Sequence, residues 1–301
     1  MTERQSPEWL DSQYNNRGRI PEHPQILQEW ADRSRAALAT ARCVRDVRYG
    51  QGVPPALAAG HDPGDTLDLF LPEPSRDGPA PVLVYLHGGY WRALSKRDHA
   101  FVAPPFAQAG ALVVIPDYPL APAVSIEHIV MQVACALAWT WRNAQTYGGD
   151  PQRIVVAGHS AGGHLATMML ALDWTAYQPD LPARLVKGAV SLSGVFDLEP
   201  LRHAPFLAPD LRLDEHAALR LSPAYMPPPH GPLIALVGAQ ESEEFVRQNR
   251  LIRESWGTRT VTVCETVPGR HHMNVLHDLA DPKARAHHLT LGLLGLPRPA
   301  G

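Results

Sequence analysis

The chain has 301 residues, with 27 Lys+Arg against 30 Asp+Glu and a formal net charge of −3. Charged residues at 19% and apolar residues at 45% exclude a solvating, disordered chain. The near balance of sign, with no long Lys/Arg block, excludes a dedicated nucleic-acid or anionic-membrane surface.

The first sixteen residues, MTERQSPEWLDSQYNN, are polar and lack an apolar core followed by a small-residue cleavage site, so no secretory signal is expected there. No apolar run approaches the ~18 residues of a membrane span. The expectation is a soluble, cytoplasmic protein. Residues 1–40 carry scattered aromatics (Trp9, Tyr14, Trp30), and PEHPQILQEWADRSRAAL reads as a helix after a proline-rich entry. Next, VRDVRY from about residue 44 and TLDLFLP at 66–72 read as two strands joined through the turn-forming GHDPGD, an antiparallel edge. Six further apolar runs follow: 81–89, 111–118, 153–160, 188–194, 232–238 and 260–267. Their nearly continuous apolarity suits central strands covered on both faces. Helical stretches at 96–108, 125–147, 162–172, 241–255 and from about 274 fall between or after them. That alternation predicts an α/β fold: about eight strands in a mostly parallel sheet, with helices on both faces. The long proline-rich connection 195–231 breaks the alternation and is expected to be a small cap over a site. Residues 1–301 are thus expected to form one domain, with 1–40 and 195–231 as the capping pieces.

Cys43, Cys135 and Cys264 are odd in number and far apart, so no disulfide framework or C-x-x-C motif exists. Each is read as a small buried hydrophobe. Among 15 histidines, His159 and His164 are spaced i, i+5, as are His272 and His277, which does not place either pair on one helix face for zinc. His287-His288 reads as solvated surface. No phosphate loop or dinucleotide fingerprint is present, so neither a metal nor a cofactor is expected.

The sharpest motif is Gly158-His159-Ser160-Ala161-Gly162, which follows the strand IVVAG and opens the helix GGHLATMMLAL. A sharp strand-to-helix turn forces the serine to stand clear at the carboxyl edge of the sheet, the arrangement a seryl nucleophile needs. His87-Gly88-Gly89-Tyr90-Trp91 ends another strand, and its paired glycines leave backbone N–H groups open to a tetrahedral oxyanion. Gly88, Gly89, Tyr90 and the N–H of Ala161 are the candidate donors. Chain order then requires an acid followed by a histidine. The acid is sought in Gly238-Ala239-Gln240-Glu241-Ser242-Glu243-Glu244, with Glu241 nearest the strand end and Asp197 as second candidate. The base is sought in Val267-Pro268-Gly269-Arg270-His271-His272-Met273; His272 is preferred for its place just before Met273 and the next helix, with His271 as the alternative. Tyr90 and Trp91 beside the hole, together with His159, are expected to line an aromatic-walled pocket.

With these motifs on view, the chain resembles α/β-hydrolases. More narrowly, it resembles the arylformamidase (kynurenine formamidase) branch, near the hormone-sensitive-lipase-like esterases. The resemblance rests on HGGYW at 87–91, GHSAGGHL at 158–165, GAQESEEF at 238–245, HHMNVL at 271–276 and YNNR at 14–17. It implies Ser160, Glu241 and His272 as a catalytic triad, with Glu241 standing where the branch usually carries Asp. It also implies cofactor-free hydrolysis of a small ester or N-formyl aryl amide. A general short-chain or aryl carboxylesterase is the competing enzyme, and a non-catalytic small-molecule binder on the same scaffold is the competing class. Neither nucleic acid nor membrane is an expected partner, and a homo-oligomer is left open.

Overall fold

A computed structural model describes residues 6–50, 64–73 and 78–298. Eight strands form one sheet: β1 (Cys43–Arg48), β2 (Thr66–Phe70), β3 (Ala80–Leu86), β4 (Leu112–Pro116), β5 (Gly149–His159), β6 (Val186–Leu192), β7 (Leu233–Gly238) and β8 (Val261–Val267). Their order is β1-β2-β4-β3-β5-β6-β7-β8. β1 pairs antiparallel with β2 and β2 antiparallel with β4, while every pairing from β4 to β8 is parallel. Most of the GHDPGD turn between β1 and β2 lies outside the described residues.

The central strands bury both faces, and the period of two assigns their side chains to opposite layers. From β3, Val82, Val84 and Leu86 join one core, with the helices Ile126–Asn143, Ala161–Ala171 and Glu243–Thr260. Leu83 and Tyr85 join the other, with the helices His23–Thr40, Ala103–Gln108, Val275–Ala280 and Arg285–Leu294. Cys135 is buried, whereas Cys43 and Cys264 are half-buried. His287 is buried rather than solvated: its ring stacks on Phe106 at 4.3 Å and Nδ1 bonds the Leu279 carbonyl at 3.0 Å.

One expected helix is broken. The run 96–108 divides into Lys96–His99, a 3₁₀ turn over Ala100–Val102, and Ala103–Gln108. Pro104 and Pro105 can occupy only the first turn of a helix, where an absent N–H costs nothing, so they start a new one. At the start of the run the Lys96 ammonium, nearly fully buried, sits on Asp68 of β2 and 2.6 Å from Asp46 of β1.

Register lines up the strand ends that matter. Leu86 pairs with Gly158, His159 with Leu192, Leu192 with Leu236 and Gly238 with Val267. The carboxyl ends of β3, β5, β7 and β8 therefore carry HGGYW, the Ser160 turn, the Glu241 loop and the histidine doublet along one edge. Among the described residues, no helix is long and apolar enough to cross a membrane.

Candidate active site

Ser160 follows the last residue of β5 and precedes the helix Ala161–Ala171. It sits at φ 57°, ψ −120°, a region that costs a non-glycine residue on the order of 1–3 kcal/mol. The flanking glycines explain how the turn closes. A Cβ on Gly158 would fall 2.1 Å from the Gly162 carbonyl oxygen, and one on Gly162 would fall 2.0 Å from that of Leu86. Backbone bonds fix the turn on both sides: Ser160 N–H donates to Leu192 at 2.8 Å, and its carbonyl accepts from His164 N–H at 3.1 Å.

On the neighbouring strand end, Gly89, Tyr90 and Trp91 hold φ values of +113°, +51° and +56°. Gly88, Gly89 and Tyr90 line the same cavity as Ser160, and Ala161 is buried directly behind the serine as the first helical residue. Three side-chain contacts brace this loop. Tyr118 Oη donates to the His87 carbonyl at 2.7 Å, and its ring stacks on His87 at 4.1 Å. Arg92 donates to the Phe206 carbonyl at 2.7 Å and to the Asp210 carboxylate. Tyr90 Oη donates to the Tyr14 carbonyl at 2.5 Å. Burial holds the His87 imidazole neutral, with its pKa pushed down to about 4.

Glu241 and His272 meet. Glu241 Oε2 lies 2.7 Å from His272 Nδ1, and both side chains are buried. The other carboxylate oxygen accepts from Gly238 N–H at 2.7 Å and from the Ser193 hydroxyl. Acceptance from Nδ1–H fixes the imidazole tautomer and leaves Nε2 as the free base position. His272 lines the cavity with Ser160, and the Phe245 ring packs 4.5 Å from the imidazole.

The alternatives sit elsewhere. His271 Nδ1 accepts from Met273 and Asn274 N–H at 3.2 and 3.3 Å, so it caps the following turn, while Nε2 faces Glu22 at 3.6 Å. Asp197 pairs with Arg247 at 3.3 Å. Glu244 accepts from Tyr14 Oη and Arg247, and Glu243 and Glu244 occupy the first turn of their helix.

His159 lines the cavity and donates from Nε2 to the His272 carbonyl at 2.6 Å; burial holds its pKa well below 6.5. Trp91 does not line the cavity, contrary to expectation. The indole is instead fully buried, with its ring centroid 5.1 Å from that of His164. The aromatic walls are instead Trp30, Tyr90 and Phe206, with Leu27, Asn16 and Arg17 also at the lining of a cavity of about 320 Å³. Trp30 and Phe206 come from the N-terminal region and from the 195–231 connection. The sequence marks both stretches, and Trp30 as a scattered aromatic, but gives neither residue a place in the pocket, because neither side chain belongs to a motif. Among the described residues, no group of three or more His, Cys, Asp or Glu side chains could hold a metal ion.

The BD-FAE family model matches residues 67–204. Kynurenine formamidase of Salmo salar is 30% identical over 286 residues, covering 92% of this chain and 89% of the relative. That of Danio rerio is 30% identical over 283 residues with the same coverage. A solved structure from Silicibacter sp. tm1040 superposes with a TM-score of 0.77 at 28% identity, over 92% of this chain and 97% of the other. A Pyrobaculum calidifontis esterase superposes at 0.69 and 21% identity, over 90% and 92%, which shows the α/β-hydrolase fold.

Proposed function

The chain belongs to the kynurenine formamidase family of α/β-hydrolases, and we propose that it is a serine hydrolase cleaving a small N-formyl aryl amide or aryl ester through an acyl-enzyme. The observation that carries this reading is the 2.7 Å contact of Glu241 with His272 Nδ1, in a cavity that His272 shares with the strained Ser160 turn. In the reaction, His272 Nε2 takes the Ser160 proton as Oγ attacks the carbonyl carbon. Glu241 holds the imidazole and stabilises the cation that forms. Backbone N–H groups of Gly89, Tyr90 and Ala161, with Gly88 beside them, receive the oxyanion. His272 then gives its proton to the departing amine or alcohol. Water adds to the acyl-enzyme with His272 as base, and the carboxylic acid or formate leaves.

The walls Trp30, Tyr90 and Phe206 support an aryl group in the substrate. The described part of the first segment, residues 6–40, and residues 195–231 act as the cap in this reading, because Asn16, Trp30, Phe206 and Asp210 from them line the cavity. Turnover of N-formylkynurenine against that of p-nitrophenyl acetate tests the substrate class. Higher kcat/KM on the formamide supports formamidase specificity; clear preference for the plain ester makes the protein a general carboxylesterase.

A further inference from the structure

The loop after β3 holds two consecutive residues with side chains, Tyr90 and Trp91, at positive φ. L-residues do not settle there unaided, so contacts elsewhere must impose the shape. At Tyr90 the contact is specific. Its hydroxyl donates to the Tyr14 carbonyl at 2.5 Å and accepts from Asn16 Nδ2 at 3.4 Å.

Tyr14 is itself fixed on its far side. It is fully buried, its hydroxyl donates to Glu244 Oε2 at 2.7 Å, and it accepts from Gln248 Nε2 at 3.0 Å. Gln248 Oε1 accepts from Phe196 and Asp197 N–H, each at 2.8 Å, and so holds the chain just after β6. Phe245 lies between the two sides, with its ring 5.7 Å from Tyr14 and 4.5 Å from His272. Tyr14, from the N-terminal region, thus joins the loop after β3 to the helix that begins two residues beyond Glu241.

We infer that the Tyr90 hydroxyl is a positioning group for the oxyanion hole: its bond to the Tyr14 carbonyl aims the Gly89 and Tyr90 N–H groups at the developing negative charge. The inference rests on the serine-hydrolase reading above. An oxyanion exists only in the tetrahedral species, so misaimed donors lower kcat and spare ground-state binding. A hydroxyl that merely packs the N-terminal segment has no such signature.

The Tyr90→Phe variant keeps the ring and its edge contact with Phe206, at 5.7 Å and 89°, and loses only the hydroxyl. Three measurements on the full chain decide: kcat and KM for p-nitrophenyl acetate, the inhibition constant of an aryl trifluoromethyl ketone that forms an oxyanionic hemiketal with serine, and the melting temperature. The expected result is a fall in kcat of about 10- to 100-fold, with KM within about twofold. Ketone affinity should fall by the same factor. Unchanged kcat and ketone affinity overturn the inference; so does a loss confined to KM, or a loss of kcat with full ketone affinity. If Tyr90→Phe does not fold, Tyr90→Met, which fills the space but offers the Tyr14 carbonyl no donor, decides by the same readouts. A parallel loss in kcat and ketone affinity supports the link, and wild-type values overturn it. Ser160→Ala run alongside separates the two levels. Its inactivity beside an unaffected Tyr90→Phe removes this inference alone, whereas full turnover by Ser160→Ala removes the reading beneath it.

Discussion

Glu241 binds His272 with one carboxylate oxygen and its own strand end with the other: Oε2 lies 2.7 Å from Nδ1, while Oε1 accepts from Gly238 N–H at 2.7 Å. The extra methylene relative to aspartate lets the side chain curl back over the end of β7 and still reach the imidazole. Replacing Glu241 by Gln should therefore leave the fold intact and cut kcat by about 10³- to 10⁴-fold, because an amide cannot stabilise the imidazolium and can favour the wrong tautomer. Glu241→Asp loses reach on one side and should cost about tenfold or more in kcat. Full activity in Glu241→Gln, measured by steady-state kinetics, would assign the acid to another residue.

Phe206 should govern aryl preference. Its ring meets Tyr90 edge-on at 5.7 Å, and the Arg92 guanidinium sits 5.5 Å from its centroid. Being only half-buried, it can be removed with a smaller stability cost than buried Trp30. Phe206→Ala should lower kcat/KM for an aryl substrate by about 10- to 100-fold, the worth of one good aromatic wall. A small aliphatic acetate should lose much less. Equal losses on both substrates would place the aryl group elsewhere in the cavity.

Much of this was legible before the fold was known, and the reasons differ by element. The central strands were readable because buried strands in a covered sheet are nearly all apolar, as in PVLVYL and LIALVG, whereas the edge strands β1 and β8 are largely exposed or half-buried and showed through their β-branched residues alone. Ser160 was legible because the sharp turn admits no Cβ at Gly158 or Gly162, so the geometry is written as glycine. For the acid and base, the sequence favours Glu241 over Asp197 and His272 over His271 but leaves both alternatives open, since the choice depends on where loops bring side chains together. The pocket walls were not legible. Trp30 and Phe206 reach the cavity through tertiary packing, which no local pattern around either residue encodes, and the position of Trp91 beside the glycines in sequence does not reveal that its indole turns inward. The buried Lys96 was hidden too, since a lysine in a polar KRDH stretch reads as surface.

The buried histidines should make stability sensitive to mild acid. Burial pushes His87 and His164 down to about 4, and burial together with neighbouring His87 does the same to His99, from an ordinary value of 6.5. Lowered folded values mean that the stabilisation is complete above pH 6.5 and is lost as pH falls through 4. Between those limits each histidine removes on the order of 1 kcal/mol per pH unit. Asp117, raised to about 6 by burial, works in the opposite sense and offsets part of this, since it gains stability as pH falls. The net expectation is a melting temperature that drops from pH 7 to pH 4.5. His164→Gln should make that drop shallower: the imidazole donates from Nε2 to the Leu221 carbonyl and holds an unpartnered Nδ1, and the amide can keep the donor. A melting temperature flat across this range, followed by calorimetry, would show that these imidazoles are not held neutral by the fold.

The central claim is that Ser160, on the turn after β5, is the nucleophile served by His272 and Glu241. Its most direct test is the turnover of folded Ser160→Ala on p-nitrophenyl acetate and N-formylkynurenine beside the wild type. With the three side chains acting as a unit, kcat should fall by about 10⁶-fold on whichever substrate the wild type turns over. Turnover by the alanine variant within about tenfold of wild type, in protein of unchanged melting temperature, would contradict the claim, because a lost nucleophile cannot be so nearly silent.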